Sequence, residues 1–284
     1  MKLSCIPISF FSSISNGEMQ VGEWMDFAVE LGLDGVECAP PMIHPLGPVS
    51  AAEFRKLADD RGLAVSNYTG YSDFTYPDPL ERVREIASAF NNIQIALTLG
   101  APSMRLLAGQ NRPEVDHAEA LGWVVEAIGQ VADQARREGV RVNVENHTKA
   151  FTWTNFDFAM RSDVFLEMLN GLRDAPVGVQ FDIANPFVGK EDALTLFEQV
   201  KSRIGYVHVN DVARAGTFEF VPIGTGIAPV AEVLRRLSLQ NYKGWVGVEE
   251  ASRTGRSGFE QAVRYTKQVL LETDRGNTLQ SLPN

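Results

Sequence analysis

The sequence predicts a single α/β domain, a (β/α)8 TIM barrel, and three observations carry that expectation. Strand-like and helix-like segments alternate from end to end, which is the pattern of a parallel sheet with helical crossovers. The length of 284 residues is nearly consumed by one such barrel of about 250 residues. Four strand-like runs in the second half each end in a group able to bind a metal, as expected where parallel strands deliver their last residues to one rim.

The elements follow in order. Strand one covers about Leu3 to Phe10, and a helix over Val21 to Leu31 places Trp24, Phe27, Ala28 and Leu31 at three- and four-residue spacing before Gly32 stops it. Strand two is 34–38, followed by a Pro-rich loop and a helix from Ser50 to Arg61. Strand three is 63–67. Pro79 opens the next helix, as proline suits a first helical turn, and Gly100 closes it. Strand four is 103–107, and the longest helix, Val115 to Glu138, terminates at Gly139. Strand five is 140–145, strand six 177–182, strand seven 204–210 and strand eight 244–249, with helices over 162–172, 193–203 and 228–237 between them and a last one over 258–271. The barrel is thus expected over 1–271, with a polar, aperiodic tail over 272–284. The turn Pro222-Ile223-Gly224-Thr225-Gly226 lacks the lysine and spacing of a phosphate-binding loop and reads as a tight backbone turn.

Composition excludes several classes. A formal charge of −10 without a Lys/Arg cluster gives no basis for nucleic-acid binding. Two cysteines, Cys5 and Cys38, in strand-like contexts read as reduced core thiols of a cytoplasmic protein. The segment Met1 to Phe11 imitates a signal peptide weakly, but Pro7 and Ser9 interrupt it, and a first barrel strand is the better reading. No apolar run approaches the ~20 residues needed to span a bilayer, so no membrane partner is expected. A homo-oligomer or a partner subunit remains compatible with the sequence.

The chemistry lies in Val142-Asn143-Val144-Glu145-Asn146-His147 and its counterparts. Glu145, Asp182, His208 and Glu249 end four consecutive strands, separated by about one βα unit each. A single strand-end acid is often an ion pair or a helix cap. Four at matching topological positions point to a metal site. Three carboxylates and one imidazole suit a hard divalent cation, Mn²⁺ first, with Mg²⁺ or Co²⁺ as alternatives. Among the neighbours, His147 offers an acid/base and Arg214 a cation for an oxyanion, while Asn185, Glu37 and Arg105 are candidates for substrate contacts. Glu37 could also support the metal side. The aromatic residues of the loops could form an apolar wall or a lid, but core packing or loop anchoring is the better reading for most of them.

Val144-Glu145-Asn146-His147, Phe181-Asp182-Ile183-Ala184-Asn185, Val207-His208-Val209-Asn210-Asp211, the turn Pro222 to Gly226 and Val248-Glu249-Glu250 together resemble the xylose-isomerase-like barrel superfamily, in its sugar phosphate isomerase/epimerase branch. The resemblance implies a divalent metal on Glu145, Asp182, His208 and Glu249, a small polyhydroxylated carbonyl substrate, and proton transfer by Glu145 and Glu249 through a metal-stabilised enediolate. Arg214 matches the place of a substrate-binding arginine in ketose 3-epimerases. Two positions depart from those epimerases: Asn185 stands where they carry a histidine, and Phe151 where they carry an acid. His147 and the Asp-x-x-Asn pattern look more like the inosose isomerases and keto-inositol dehydratases, so β-elimination by a lyase stands beside isomerisation. A sugar- or partner-binding barrel without activity is the third reading.

Overall fold

In a computed structural model of the chain, which describes residues 1–280 and side chains as far as Thr273, eight strands form one parallel sheet in the order β1-β8-β7-β6-β5-β4-β3-β2. They are β1 (Lys2–Ile6), β2 (Gly35–Cys38), β3 (Ala64–Tyr68), β4 (Ser103–Leu106), β5 (Arg141–Glu145), β6 (Val177–Asp182), β7 (Ile204–Val209) and β8 (Trp245–Glu249). The two ends of the sheet meet, β1 lying against β2. Asp34 makes that closure: its N–H donates to the Leu3 carbonyl at 2.9 Å, and its carboxylate accepts from the Leu3 N–H at 2.8 Å.

Outside the barrel lie α1 (Val21–Glu30), α2 (Ala51–Asp59), α3 (Pro79–Leu99), α4 (His117–Glu138), α5 (Ser162–Gly171), α6 (Ala193–Val200), α7 (Val230–Leu239) and α8 (Arg256–Gln280). Their starts have the expected causes. The Ser50 hydroxyl accepts from the Glu53 N–H while Glu53 reaches back to the Ser50 N–H, a reciprocal cap of α2. Asp78, Asp116 and Asp192 cap α3, α4 and α6 with side-chain oxygens. Gly100 and Gly139 end α3 and α4 in the left-handed conformation, at φ of 68° and 84°. An aromatic cluster of Phe10, Trp24, Phe27 and Phe259 joins the β1 loop to α1 and α8, with ring centroids 4.6–6.5 Å apart. Cys5 and Cys38 are both free and buried.

Apart from shifts of a few residues at helix ends, three differences from the expected elements stand out. Strand one stops at Ile6, because Pro7 leaves the ladder and a short helical segment occupies Ile8 to Ser15. A four-residue helix, Asn185–Val188, follows β6 where none was expected. The last helix does not end at Leu271; α8 runs on to Gln280, so 272–280 is helical rather than an irregular tail. Polarity conceals this because the Thr273 hydroxyl donates to the Val269 carbonyl at 2.7 Å, satisfying itself inside the helix. Residues 281–284 of the expected tail lie outside the described residues. Among the described residues no helix is long and apolar enough to cross a membrane.

Candidate metal centre

All eight strands point their carboxyl ends to one rim, and the period-two alternation of a strand fixes which side chains face the barrel axis. Glu145, Asp182, His208 and Glu249 end, or nearly end, β5 to β8, and one ligand atom from each lies within 4.8 Å of the others. His208 Nδ1 stands 2.9 Å from a Glu145 oxygen and 2.8 Å from a Glu249 oxygen. Asp182 and His208 are 0% exposed and Glu145 2%, whereas the Glu249 side chain is 20% exposed, so the cluster opens toward the mouth on the β8 side.

The donor set fits a hard divalent cation on an observation of the cluster itself. One oxygen of Asp182, Oδ1, accepts from the Ala184 and Asn185 N–H groups at 2.8 and 2.6 Å, but Oδ2 is buried with no hydrogen-bond partner. A buried carboxylate oxygen with no donor is costly unless a cation or water meets it. Burial, then the nearby Glu249 and Glu145, push the Asp182 pKa well above the carboxylate range, the signature of acids packed together. Burial also opposes ionisation of Glu145, but the Arg105 guanidinium and His208 outweigh it and hold that carboxyl well below its ordinary range. For His208 burial favours the neutral ring, yet Glu37 and Glu249 outweigh it and raise its pKa.

Three of the four candidate ligands are held from behind. Glu37 places its carboxylate 3.0 and 3.2 Å from His208 Nε2 and accepts from the Thr69 hydroxyl at 2.7 Å. A carboxylate behind the far nitrogen fixes ring orientation and leaves Nδ1 facing the cluster. Glycine at 247 makes this possible: a Cβ there would stand 2.2 Å from a Glu37 oxygen. Gln180 donates through Nε2 to Glu145 Oε1 at 3.0 Å; Asn67 donates to Gln180 Oε1 at 3.0 Å, and the Ser103 hydroxyl donates to Asn67 Oδ1 at 2.8 Å. The Asn146 side chain donates to the Asp182 carbonyl and accepts from the Asp182 N–H, both at 2.9 Å, which pins the end of β6. Arg105 donates to Glu145 Oε2 at 2.7 Å and to the Gly70 carbonyl at 3.1 Å. Its Nη2 is buried and unpartnered.

The expected substrate residues divide. Arg105 and Asn185 are brought to the cluster, Arg105 against Glu145 and Asn185 through its N–H on Asp182. Glu37 is not presented to a substrate: it is 0% exposed, and its contacts turn it to His208 and Thr69. The Arg214 side chain, expected on an oxyanion, is 73% exposed and paired with Glu219 at 2.7 Å. A tight loop returns the chain there, Ala213 N–H donating to the Glu219 carbonyl at 2.8 Å, and this brings the two charges together in solvent. His147 lies at the rim with an 11% exposed side chain, its Nδ1 3.4 Å from Asp157 but poorly aligned, so both atoms lack a hydrogen bond. It meets Trp153 edge-on at 5.7 Å. The turn at 222–226 is built by Asp211, which accepts from the Gly224, Gly226 and Ala228 N–H groups at 2.8–3.0 Å.

Gln180, Thr69 and Ser103 escaped the sequence reading, as did Tyr206, whose ring meets that of His208 edge-on at 5.7 Å and whose hydroxyl pairs with those of Ser4 and Ser66 at 2.7 and 2.9 Å. A signal for two of them exists: Gln180 and Tyr206 stand two residues before Asp182 and His208 and therefore face the same way. A barrel interior is ordinarily filled with branched apolar residues, so polar groups at those positions mark a support layer.

Comparison with known proteins agrees with this architecture. The chain is 21% identical over 234 residues to the fructoselysine 3-epimerase of Escherichia coli O157:H7, covering 78% of this chain and 82% of that protein. An L-ribulose 3-epimerase structure superposes with a TM-score of 0.81 at 16% identity, over 100% of this chain and 99% of that one. The probable 3-DHS dehydratase AsbF of Bacillus anthracis does so with a TM-score of 0.75 at 16% identity, over 94% and 99%. At that identity the two structures share the fold. The profile of the xylose isomerase-like TIM barrel family matches residues 25–269, and the chain belongs to that family.

Proposed function

We propose that this protein is a divalent-metal-dependent isomerase or epimerase of a keto-sugar or inosose. The observation that supports this most strongly is the convergence of Glu145, Asp182, His208 and Glu249, with Asp182 Oδ2 buried and unpartnered. The metal, Mn²⁺ by preference with Mg²⁺ or Co²⁺ as alternatives, would polarise the substrate carbonyl and lower the pKa of the adjacent C–H. Glu249, the most open of the four, suits removal of the proton; Glu145, kept ionised by Arg105, suits its return. Arg105 Nη2, buried but unpartnered beside Glu145, and Asn185, 8% exposed after Asp182, are the proposed contacts for substrate oxygens. The names of the curated relative and of one superposed structure, both 3-epimerases, support the same class.

A second reading, β-elimination of water, is favoured by His147, an imidazole at the rim with Asp157 at 3.4 Å behind it, placed to protonate a leaving oxygen. One experiment separates the two. Incubation with a panel of ketoses and inososes in D₂O is expected to show Mn²⁺-dependent incorporation of deuterium beside the carbonyl, abolished by EDTA. Enone absorbance in place of exchange would select elimination, and no metal-dependent exchange on any member of the panel would sink the isomerase reading.

A further inference from the structure

At the barrel mouth a cleft of about 440 Å³ opens between the loops that follow β1, β2, β5 and β8, a volume within the range of small-molecule sites. Its walls are Ile8 and Phe11 from the β1 loop, Pro41 from the β2 loop and Phe151 from the β5 loop. Arg253, in the loop after β8, and the serines Ser9, Ser12 and Ser15 of the β1 loop complete the lining. Ser9 ties the cleft to the metal centre: its N–H and hydroxyl both donate to the carbonyl of Glu250, at 3.1 and 3.2 Å, one residue beyond Glu249.

Arg253 is mounted rather than loose. Its backbone is held at φ 59°, a left-handed conformation unusual for a residue with a side chain, and its N–H donates to the Ser9 hydroxyl at 3.0 Å. Strained backbone that persists in this way concentrates at functional sites. Its guanidinium has no ion pair or hydrogen bond among the described residues. The acid closest in sequence, Glu250, is 1% exposed and accepts from the Ser252 N–H at 2.9 Å. The cleft thus pairs a mixed wall of apolar and serine side chains with one cation that has no ion pair among the described residues, four positions after Glu249 in the chain. A neutral keto-sugar could meet the serines but would leave the cation without a counter-charge. Meanwhile Arg214 is turned away to Glu219, and Phe151 stands 69% exposed on the opposite wall.

We propose that this cleft is a second substrate subsite, which takes an oxyanion carried by the keto-sugar, a carboxylate or a phosphate, on Arg253, with the connecting atoms against Phe11, Pro41 and Phe151. The proposal rests on the isomerase reading for the reacting end of the substrate. Calorimetric titration of the Mn²⁺-supplemented protein with sorbitol, gluconate and sorbitol 6-phosphate tests it without turnover. An oxyanion-bearing polyol is expected to bind about tenfold tighter than sorbitol, an advantage lost in Arg253→Met, as charge-assisted contacts to one exposed arginine allow. Which anion gains more identifies the oxyanion. Equal affinity for all three, no binding of any, or an advantage that survives in Arg253→Met would overturn the subsite. Loss of the isomerase reading would instead appear as absent deuterium exchange in the wild type on every keto-sugar, whatever the titration shows.

Discussion

Two buried arginine–carboxylate pairs stand on the rim of this barrel, built from the same parts and finished differently. Arg112 meets Asp73 through two contacts of 2.8 Å and stacks on Tyr76 at 4.1 Å. Arg105 meets Glu145 at 2.7 Å and lies over Tyr71 at 4.8 Å. Around Asp73 both oxygens are filled: Gln110 donates from its backbone and side chain at 3.1 and 3.0 Å, and the Thr75 hydroxyl donates at 2.9 Å. Around Glu145 the pairing is incomplete. Arg105 Nη2 and the neighbouring Asp182 Oδ2 have no partner. A saturated network rigidifies a loop; an unsaturated one, buried somewhat deeper, retains capacity for a further partner.

The largest expected effect breaks the comparison at its open end. Glu249→Gln, which removes a charge with no arginine behind it, should lower kcat by about 10²–10⁴-fold while thermal unfolding stays near wild type. Glu145→Gln should lose activity too, but it strands Arg105 and should also destabilise the fold by about 3 kcal/mol or more. A Glu249→Gln variant that turned over normally would remove it from the proton-transfer pair.

The closed end should respond in the opposite sense. Arg112→Met is expected to cost about 3 kcal/mol of stability, because it leaves a buried carboxylate without its cation, with Mn²⁺ affinity unchanged by titration. Weaker metal binding with normal stability would mean that the two networks are one. Smaller still is Gln180→Met, which deletes the donor to Glu145 while keeping its volume. A 10–100-fold weaker Mn²⁺ affinity is expected, as for other groups that orient metal ligands, with little change in unfolding. No change in affinity would reduce Gln180 to packing.

The smallest effect is a dependence on acid. Burial opposes ionisation of Asp73, but Arg112 and its other donors outweigh it and hold the carboxyl below its usual value, which is about 3.9 in an unfolded chain. A depressed folded pKa contributes stability that is present above the unfolded value and lost as pH falls through the folded one. Asp73→Asn should therefore be less stable than wild type at neutral pH and converge toward it below about pH 4, as followed by urea midpoints. Parallel curves would show that the pair carries no linked proton.

Much of the site could be read from the chain because strand ends are local. Glu145, Asp182, His208 and Glu249 each close an apolar run, and parallel topology alone carries such ends to a common rim. What could not be read is direction. Glu37 is next to last in its strand just as Arg105 is, yet one reaches His208 from behind and the other faces Glu145 beside the open cluster. Arg214 occupies a position that a linear pattern assigns to substrate, and a five-residue return to Glu219 takes it away. Gln180 was hidden in a run that reads as an ordinary buried strand, since its partner Asn67, itself held by Ser103, comes from a distant strand.

By itself the sequence determined the eight-fold alternation, the positions of the four candidate metal ligands and the glycines that end the helices, because each depends on neighbours a few residues away. Only the tertiary structure decided which polar groups are saturated and which are left open, because a hydrogen bond across the barrel joins residues whose separation in the chain carries no trace of it. That distinction separates Arg112, which holds a loop, from Arg105, which stands beside the proposed metal centre.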